Sequence, residues 1–276
     1  MRVRLMENNL YTRYMATILK GDCLEVMKGI ADKSVDLIIC DLPYGCLSVK
    51  RGGVRIGECP VDNPNGNIVI VNKACSWDVK LDLEKFWEQI KRIRKNDHTP
   101  IIHFCNTKFG YELIKSNEKE FRYDLVWDKQ RGVSFLSANK MPMKSHEMIY
   151  VFSKAGAKYN RIDIEGDFPA NCGNKGKRNS RQYNNNSELE RPNNEGKRCI
   201  KSIIQNPTSC KKGGHPTEKP IDLYKWLISR YSSEGDTVLD PTFGSGNSGI
   251  ACKELKRKYT GIEKDEKFFW KYVSKQ

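Results

Sequence analysis

The chain carries, near its carboxyl end, a strand–helix–strand pattern built on a glycine-rich turn. TVLD predicts a strand, PTFGSG a turn, NSGIACKELKRK a helix and YTGIE a second strand, which together make a β-α-β unit. Gly244, Gly246 and Gly249 fit the spacing G-x-G-x-x-G, and Glu263 follows the first glycine by about twenty residues. Such glycines let the backbone approach a ligand closely, and the acidic residue accepts hydrogen bonds from ribose hydroxyls. The unit predicts a ligand with an adenosine end, and alone it does not separate NAD from S-adenosylmethionine.

Only 13 residues follow Glu263, so the other strands of an α/β sheet are expected earlier in the chain. Strand patterns occur there at ATILK, VDLII, PIIHF, YDLVW and EMIYVF, and helical patterns at CLEVMKGIADKS and LEKFWEQIKRIRK. VDLII runs directly into DLPYG at residues 41–45. Because ligands bind at the carboxyl ends of strands in open α/β sheets, we expect DLPYG and DPTFGSG to face one cleft.

The charge of the chain is strongly positive and unevenly distributed. It has 48 Lys and Arg against 34 Asp and Glu, a net charge of +14. Residues 154–214 contain 13 basic and 6 acidic residues, which is half of that surplus, and few residues that form a core. This segment is either a solvated disordered loop or a basic insertion that binds nucleic acid. The motifs on either side of it favour the insertion.

Several other classes of protein are not expected. The amino-terminal residues have no apolar run after their basic residues, so no secretory signal is predicted. No segment approaches the roughly 20 apolar residues of a membrane span, and we expect a cytoplasmic protein without a membrane partner. The ten cysteines are scattered and none forms a C-x-x-C pair, which predicts reduced thiols and no metal site.

Taken together, the motifs resemble the β class of amino-group DNA methyltransferases. That class has a catalytic D-P-P-Y motif before its target-recognition region and a cofactor motif F-x-G-x-G after it. The matching segments are GDCLEVM at 21–27, DLPYG at 41–45, HPTEKP at 215–220, FGSG at 243–246 and GIEKDEKFF at 261–269. The resemblance implies a Rossmann-like α/β fold with a mostly parallel sheet and a circularly permuted motif order. It assigns 1–153 to the catalytic half of the domain, 154–214 to a basic target-recognition insertion and 215–276 to the cofactor-binding half.

The resemblance also implies a role for individual residues. The cofactor would be S-adenosylmethionine, and the substrate would be double-stranded DNA with one base flipped out. Asp41 and the carbonyl of Leu42 would hold the target amino group, Pro43 would stiffen the turn, and Tyr44 would stack on the flipped base. Leu42 stands where proline is commoner, but only its carbonyl is used. The cofactor contacts implied are Asp22, Cys23, Asp41, His215, Thr217, Lys219, Asp240, Phe243, Gly244, Ser245, Gly246 and Glu263.

Adenine N6 is the expected target, because N4-cytosine members of the class more often have Ser at the position of Asp41. The alternatives are N4-cytosine methylation and an inactive DNA-binding protein on a methyltransferase fold. C5-cytosine methyltransferases use a catalytic cysteine in a Pro-Cys dipeptide. No proline in the chain is followed by cysteine, so C5-cytosine methylation is excluded. Restriction–modification proteins and homodimers are both common in the resembling class. Asn139, Lys144, His146 and Glu147 form a polar stretch that is a candidate for contact with the base or the DNA.

Overall fold

The structure is a computed structural model that describes residues 2–9, 12–45, 49–51, 59–61, 69–71, 79–133, 138–165, 197–205 and 218–274. The helices in these ranges are α1 (Cys23–Met27), α2 (Leu83–Ile93), α3 (Thr107–Ser116), α4 (Ile221–Tyr231), α5 (Asn247–Glu254) and α6 (Glu266–Val273). The strands are β1 (Arg2–Asn9), β2 (Thr12–Lys20), β3 (Leu37–Cys40), β4 (Val49–Arg51), β5 (Cys59–Val61), β6 (Val69–Val71), β7 (Ile101–Cys105), β8 (Phe121–Val133), β9 (Lys144–Phe152), β10 (Ile164–Glu165), β11 (Lys197–Arg198), β12 (Ile203–Gln205), β13 (Thr237–Asp240) and β14 (Lys258–Glu263).

The main sheet within the described ranges has nine strands in the order β1-β2-β14-β13-β3-β7-β9-β8-β12. Strands β2, β14, β13, β3 and β7 are parallel to one another, β1 is antiparallel to β2, β9 is antiparallel to β7 and β8, and β12 is parallel to β8. The two carboxyl-terminal strands therefore lie in the middle of the sheet, between strands from the first forty residues. This confirms the predicted α/β class with a mostly parallel sheet.

Helices cover both faces of the sheet, which explains why its central strands are mostly apolar and buried. All four residues of β3 and all five of β7 are buried. One core cluster packs strand residues such as Ile39 and Phe104 with α4, α5 and α6, and the other packs Ile38 and Cys40 with α1, α2 and α3. A continuous apolar run is typical of a parallel strand buried on both faces.

Two helices end earlier than their sequence patterns predict. The predicted helix 23–34 ends at Met27, because the amides of Gly29 and Ile30 bond carbonyls three residues earlier and tighten the last turn. The predicted helix 247–258 ends at Glu254, because Lys256 adopts a left-handed φ of 59° and Lys258 already begins β14. Helices α3 and α6 and strand β1 were not predicted.

Residues 161–202 are assigned to a separate compact unit, within which β10 and β11 pair in antiparallel orientation. Residues 154–160 and β12 belong instead to the main unit, where Asn160 donates hydrogen bonds to the carbonyls of Ser229 and Ser232, and β12 pairs with β8. A further small sheet has the order β4-β6-β5. Within the described ranges, no helix is both long and apolar enough to cross a membrane.

Candidate active site

A cavity of about 620 Å³ opens at the carboxyl ends of the central parallel strands. The loops after β3 and β13 meet there because these strands are parallel neighbours, as the positions of DLPYG and DPTFGSG predict. The sequence-predicted site residues that line the cavity are Asp22, Cys23, Asp41, Pro43, Lys219, Phe243, Gly244, Ser245 and Glu263. Residues lining it that were not predicted include Leu24, Val79, Leu81, Glu218, Tyr224, Thr242, Lys264 and Phe268.

Asp41 lies at the wall of the cavity, directly after β3. Its Oδ1 accepts a hydrogen bond from the Tyr44 hydroxyl at 3.0 Å, and its Oδ2 accepts one from Lys219 Nζ at 2.7 Å. The hydroxyl of Thr242 donates to the Asp41 carbonyl at 3.1 Å and ties the two loops together. The carboxylate is thus oriented from both sides.

The other residues of DLPYG divide between core and cavity. The Leu42 side chain is buried in the core, which leaves only the backbone of this residue for any contact with a substrate. Tyr44 does not line the cavity. Its ring stacks on Phe109 with 5.1 Å between centroids. Burial raises the pKa of the Tyr44 hydroxyl, and the charge of Asp41 raises it further, so it remains a neutral donor.

Lys219 belongs to a group of buried charges behind Asp41. Its ammonium is 3.5 Å from Glu147 Oε2 and 5.2 Å from the centroid of the Phe104 ring. The other carboxylate oxygen of Glu147 accepts a hydrogen bond from Lys129. Glu147 was noted in the sequence as a candidate DNA contact, but its side chain is only 18% exposed and is directed to these two lysines.

The glycine loop is shaped by close packing and by Glu263. The Gly244 amide donates to Glu263 Oε2 at 2.8 Å, and the Asp265 amide donates to Oε1 at 2.7 Å. Burial nonetheless raises the pKa of this carboxyl. Gly246 has a φ of 79°, and a Cβ there would be 1.8 Å from the Tyr272 ring. This position therefore requires glycine both for its backbone conformation and for its contact with α6.

Asp240 and Gly246 do not line the cavity, although both were predicted to contact the cofactor. Asp240 is 1% exposed and accepts hydrogen bonds from the Ser248 hydroxyl at 2.6 Å and the Thr242 amide at 3.0 Å. Burial raises its pKa to about 7. Its contacts fix the loop and the first turn of α5.

At the opposite wall, Asp22 is the N-cap of α1, accepting from the Leu24 amide at 3.0 Å, and it pairs with Lys264 at 3.1 Å. Burial raises the pKa of the neighbouring Cys23 thiol to about 12, so this side chain is neutral. His215 and Thr217 lie outside the described residues. Asn247 Nδ2 donates to Glu218 Oε1 and to the Lys219 carbonyl, each at 2.7 Å, and thereby anchors the end of HPTEKP to α5.

Comparisons with known proteins agree with this arrangement. A family model described as DNA methylase, N6/N4 type, matches residues 35–273. The type II methyltransferase M.HinfI of Haemophilus influenzae is 27% identical over 96% of this chain and 68% of its own length. M2.LlaDCHI of Lactococcus lactis subsp. cremoris is 25% identical over 96% of this chain and 90% of its own length.

Solved structures share the fold. M1.HpyAVI in complex with S-adenosylmethionine superposes with a TM-score of 0.57 at 22% identity, over 94% of this chain and 98% of the other. The N4-specific PvuII cytosine methyltransferase has a TM-score of 0.62 at 14% identity, over 94% and 85% of the two chains. Since the family model covers most of the sequence, including the DLPYG loop and the glycine loop, the chain belongs to the N6/N4 DNA methylase family.

Proposed function

We propose that this protein transfers a methyl group from S-adenosylmethionine to the N6 amino group of adenine in DNA. The observation that carries the proposal is the Asp41 carboxylate, held at the cavity wall in a DLPYG loop. Aspartate at this motif position is the choice associated with adenine in the resembling class. Membership of the DNA methylase family supports DNA as the substrate.

The residues of the cavity fit this cofactor. Its volume of about 620 Å³ is in the range of small-molecule sites. Glu263 presents a carboxylate that retains acceptor capacity for ribose hydroxyls beside the Gly244 amide, and Phe243, Leu24 and Pro43 supply apolar walls. Asp22 offers a further acceptor. When bound, the cofactor supplies a sulfonium methyl group that is already activated for transfer.

The protein's task is then to make the amino group a better nucleophile. The lone pair of an exocyclic amino group is delocalised into the ring. Asp41 and the Leu42 carbonyl can each accept a hydrogen bond from one N–H group of the amino group. These two hydrogen bonds draw the nitrogen toward tetrahedral geometry and localise its lone pair. Positioning for in-line transfer and fixed acceptors can provide most of the rate enhancement. No covalent enzyme intermediate is needed.

Tyr44 is proposed to receive the flipped base. Extrusion of a base costs a few kcal/mol, and stacking on an aromatic ring returns about 1–3 kcal/mol. Phe109 supports one face of the Tyr44 ring, and the hydrogen bond to Asp41 keeps its hydroxyl in place. The ring is therefore preorganised next to the proposed catalytic carboxylate.

The basic segment 154–214 is proposed as the target-recognition region, inserted between the catalytic and cofactor motifs in a circularly permuted order. Its 13 basic residues, against 6 acidic ones, would bind phosphates, and its polar side chains would read bases. The halves 1–153 and 215–276 would then form one catalytic domain around it.

N4-cytosine methylation is the second candidate, because the PvuII enzyme of that specificity shares the fold. The test is to incubate the protein with labelled S-adenosylmethionine and DNA lacking methylation, and then to identify the labelled nucleoside. We expect N6-methyl-2′-deoxyadenosine. Labelled N4-methyl-2′-deoxycytidine would replace the adenine proposal with the cytosine one, and absence of label from every DNA tested would favour an inactive DNA-binding protein.

The role of Asp41 is tested by Asp41→Ala in the same assay. Loss of one of two fixed acceptors should lower the transfer rate by at least about a hundredfold. Binding of S-adenosylmethionine, measured by calorimetry, should stay within a few-fold of wild type, because the glycine loop and Glu263 are unchanged. Substantial residual transfer would remove Asp41 from the proposed role.

A further inference from the structure

Four charged side chains form a continuous row that ends at the cavity wall, where its last two members line the cavity. In order they are Lys129, Glu147, Lys219 and Asp41, contributed by β8, β9, the segment before α4 and the loop after β3. Each is at most 21% exposed, and Lys219 is 4% exposed. The charges alternate and sum to zero. The transfer mechanism above uses only the last of them.

The ionised state of the row depends on all its members. Burial disfavours the charged form of Glu147, but Lys219 and Lys129 outweigh it and hold the pKa of this carboxyl below its usual value. Burial likewise opposes the charge on Lys219, but Asp41 and Glu147 raise its pKa above the ordinary value. Removing one partner from such a group leaves an uncompensated buried charge, which is a large perturbation in a low-dielectric site.

The position of the Lys219 ammonium is set from several sides. Asp41 Oδ2 lies 2.7 Å away, Glu147 Oε2 lies 3.5 Å away, and the Phe104 ring lies beneath it. The Lys219 carbonyl is fixed by Asn247. Glu147 is therefore a second negative charge near the ammonium, at ion-pair rather than hydrogen-bond distance, and its attraction for the ammonium opposes that of Asp41.

We propose that Glu147 is a positioning residue for methyl transfer, which acts through Lys219 to orient the Asp41 carboxylate and leave it able to accept from the target amino group. This inference rests on the proposed role of Asp41. Removing the Glu147 charge takes away one of the two carboxylates that flank the Lys219 ammonium, so its attraction to Asp41 is less opposed, and the Asp41 carboxylate shifts toward the lysine and away from the base.

Glu147→Gln is the primary test, since the two side chains are nearly equal in size. In single-turnover assays with saturating DNA, we expect the transfer rate to fall by about tenfold to a hundredfold, the scale of a small misplacement of a reacting group. The dissociation constant for S-adenosylmethionine should change less than about twofold, because Glu147 does not line the cavity. Glu234→Gln is the matched control: Glu234 faces Lys256 at 3.6 Å in an exposed ion pair and should show wild-type rates.

A double-mutant cycle with Lys219→Met separates action through the lysine from a general structural effect. In the Lys219→Met protein, adding Glu147→Gln should cause no further loss of rate, because the lysine through which Glu147 acts is absent. The Lys219→Met protein and the double variant can still be compared if the single Glu147→Gln protein does not fold. In the double variant the remaining charges, those of Asp41 and Lys129, balance each other. A further tenfold loss in that background, or a wild-type transfer rate in folded Glu147→Gln, would overturn the inference.

The cycle is interpretable only in a protein that methylates DNA. If the wild-type protein transfers no methyl group, or if Asp41→Ala retains full activity, the proposed function has failed rather than the role of Glu147. If wild type is active and Asp41→Ala is not, the Glu147 and Lys219 variants test this inference alone.

Discussion

His103 is a fully buried histidine on β7, in the core of the protein. Its ring meets those of Phe86, Trp87 and Phe152 at centroid distances of 5.6, 5.3 and 5.7 Å. Neither ring nitrogen has a hydrogen-bond partner among the described residues. Burial lowers its pKa from 6.5 to about 3, so the ring is neutral in the folded protein. A buried polar group without a partner costs about 1–3 kcal/mol.

Replacing this ring should therefore stabilise the protein and change its response to acid. We expect His103→Leu to raise the free energy of unfolding by about 1 kcal/mol at pH 8, as measured by chemical denaturation. The pKa of His103 is lower in the folded state than in the unfolded state. The contribution of this neutral ring to the free energy of unfolding is therefore fully present above pH 6.5 and is lost as the pH falls toward 3. The loss from this one group is about 1.4 kcal/mol per pH unit inside that window, because the unfolded state binds a proton that the folded state does not.

The His103→Leu variant lacks this titrating group. The difference in the free energy of unfolding between the variant and wild type should therefore grow as the pH falls from 6.5 and stay constant between pH 7.5 and 9. Parallel stability curves down to pH 4.5 would mean that His103 is not held neutral by burial. The sequence offers no sign of this residue's environment, because PIIHF predicts a buried strand without saying what surrounds each side chain.

The sequence likewise does not show which charged side chains surround Asp41. The DLPYG motif predicts Asp41 and Tyr44 as site residues, and the structure places Asp41 at the cavity wall with Tyr44 hydrogen-bonded to it. Their hydrogen bond spans three positions in one turn, whereas Lys219 and Asp41 are 178 positions apart in the chain. Glu147 was noticed as a charged residue at the start of the apolar pattern EMIYVF, but its partner could be identified only from the folded sheet.

At the scale of elements, α6 determines the shape of the glycine loop. Tyr272 on this helix approaches two glycines of the motif, and a Cβ on Gly249 would be 2.1 Å from its hydroxyl oxygen. The G-x-G-x-x-G spacing predicted the turn and the start of α5. It did not predict α6, because the spacing ends at Gly249, and GIEKDEKFF at 261–269 was matched to a motif without a secondary-structure prediction.

Gly249→Ala should consequently push Tyr272 away from the loop. We expect the variant to lower the free energy of unfolding by about 1–3 kcal/mol, the usual cost of overpacking, and to weaken binding of S-adenosylmethionine by displacing the neighbouring loop. Thermal melts and calorimetry measure the two effects.

Removing the hydroxyl should relieve part of this strain, because it is the nearest atom to the added methyl group. Gly249→Ala combined with Tyr272→Phe is expected to recover more than half of the lost stability relative to Tyr272→Phe alone. The recovery is incomplete because Tyr259 Cε1 would still be 2.9 Å from the methyl group. If the second substitution gave no recovery, contact with the Tyr272 hydroxyl would not be the cause of the loss.

At the scale of the whole molecule, the order of strands explains why a chain with its glycine loop near one end can form a single site. β13 and β14 enter the sheet between β3 and β2, so the loop that follows β13 falls beside the loop that follows β3. This adjacency could be predicted from the sequence, because parallel strands have their carboxyl ends at one edge. The order of the outer strands could not, because it depends on pairings among β8, β9 and β12 that no local pattern encodes.

The net charge of the molecule leads to a prediction about DNA binding. Each phosphate neutralised by a lysine or arginine contributes a slope of about −0.9 to the dependence of log affinity on log salt. If segment 154–214 is the DNA-binding region, removing four of its charges should flatten the slope by as much as about 3 to 4 and weaken binding at low salt. The substitutions to glutamine that test this are at Lys175, Lys177, Arg178 and Arg181, which lie outside the described residues.

The matched control removes four exposed lysines near the end of the sheet where strands β3, β7 and β8 begin. This end is opposite the cavity, which lies at the carboxyl ends of the parallel strands. The four lysines are Lys33, Lys91, Lys115 and Lys119. Both variants have a net charge of +10, since four positive charges are removed from +14. Fluorescence anisotropy with one DNA duplex over a range of salt concentrations then separates local from global electrostatics. A flatter slope in the first variant alone assigns the phosphate contacts to the basic segment, whereas equal slopes in both would mean that the molecule attracts DNA only through its overall charge.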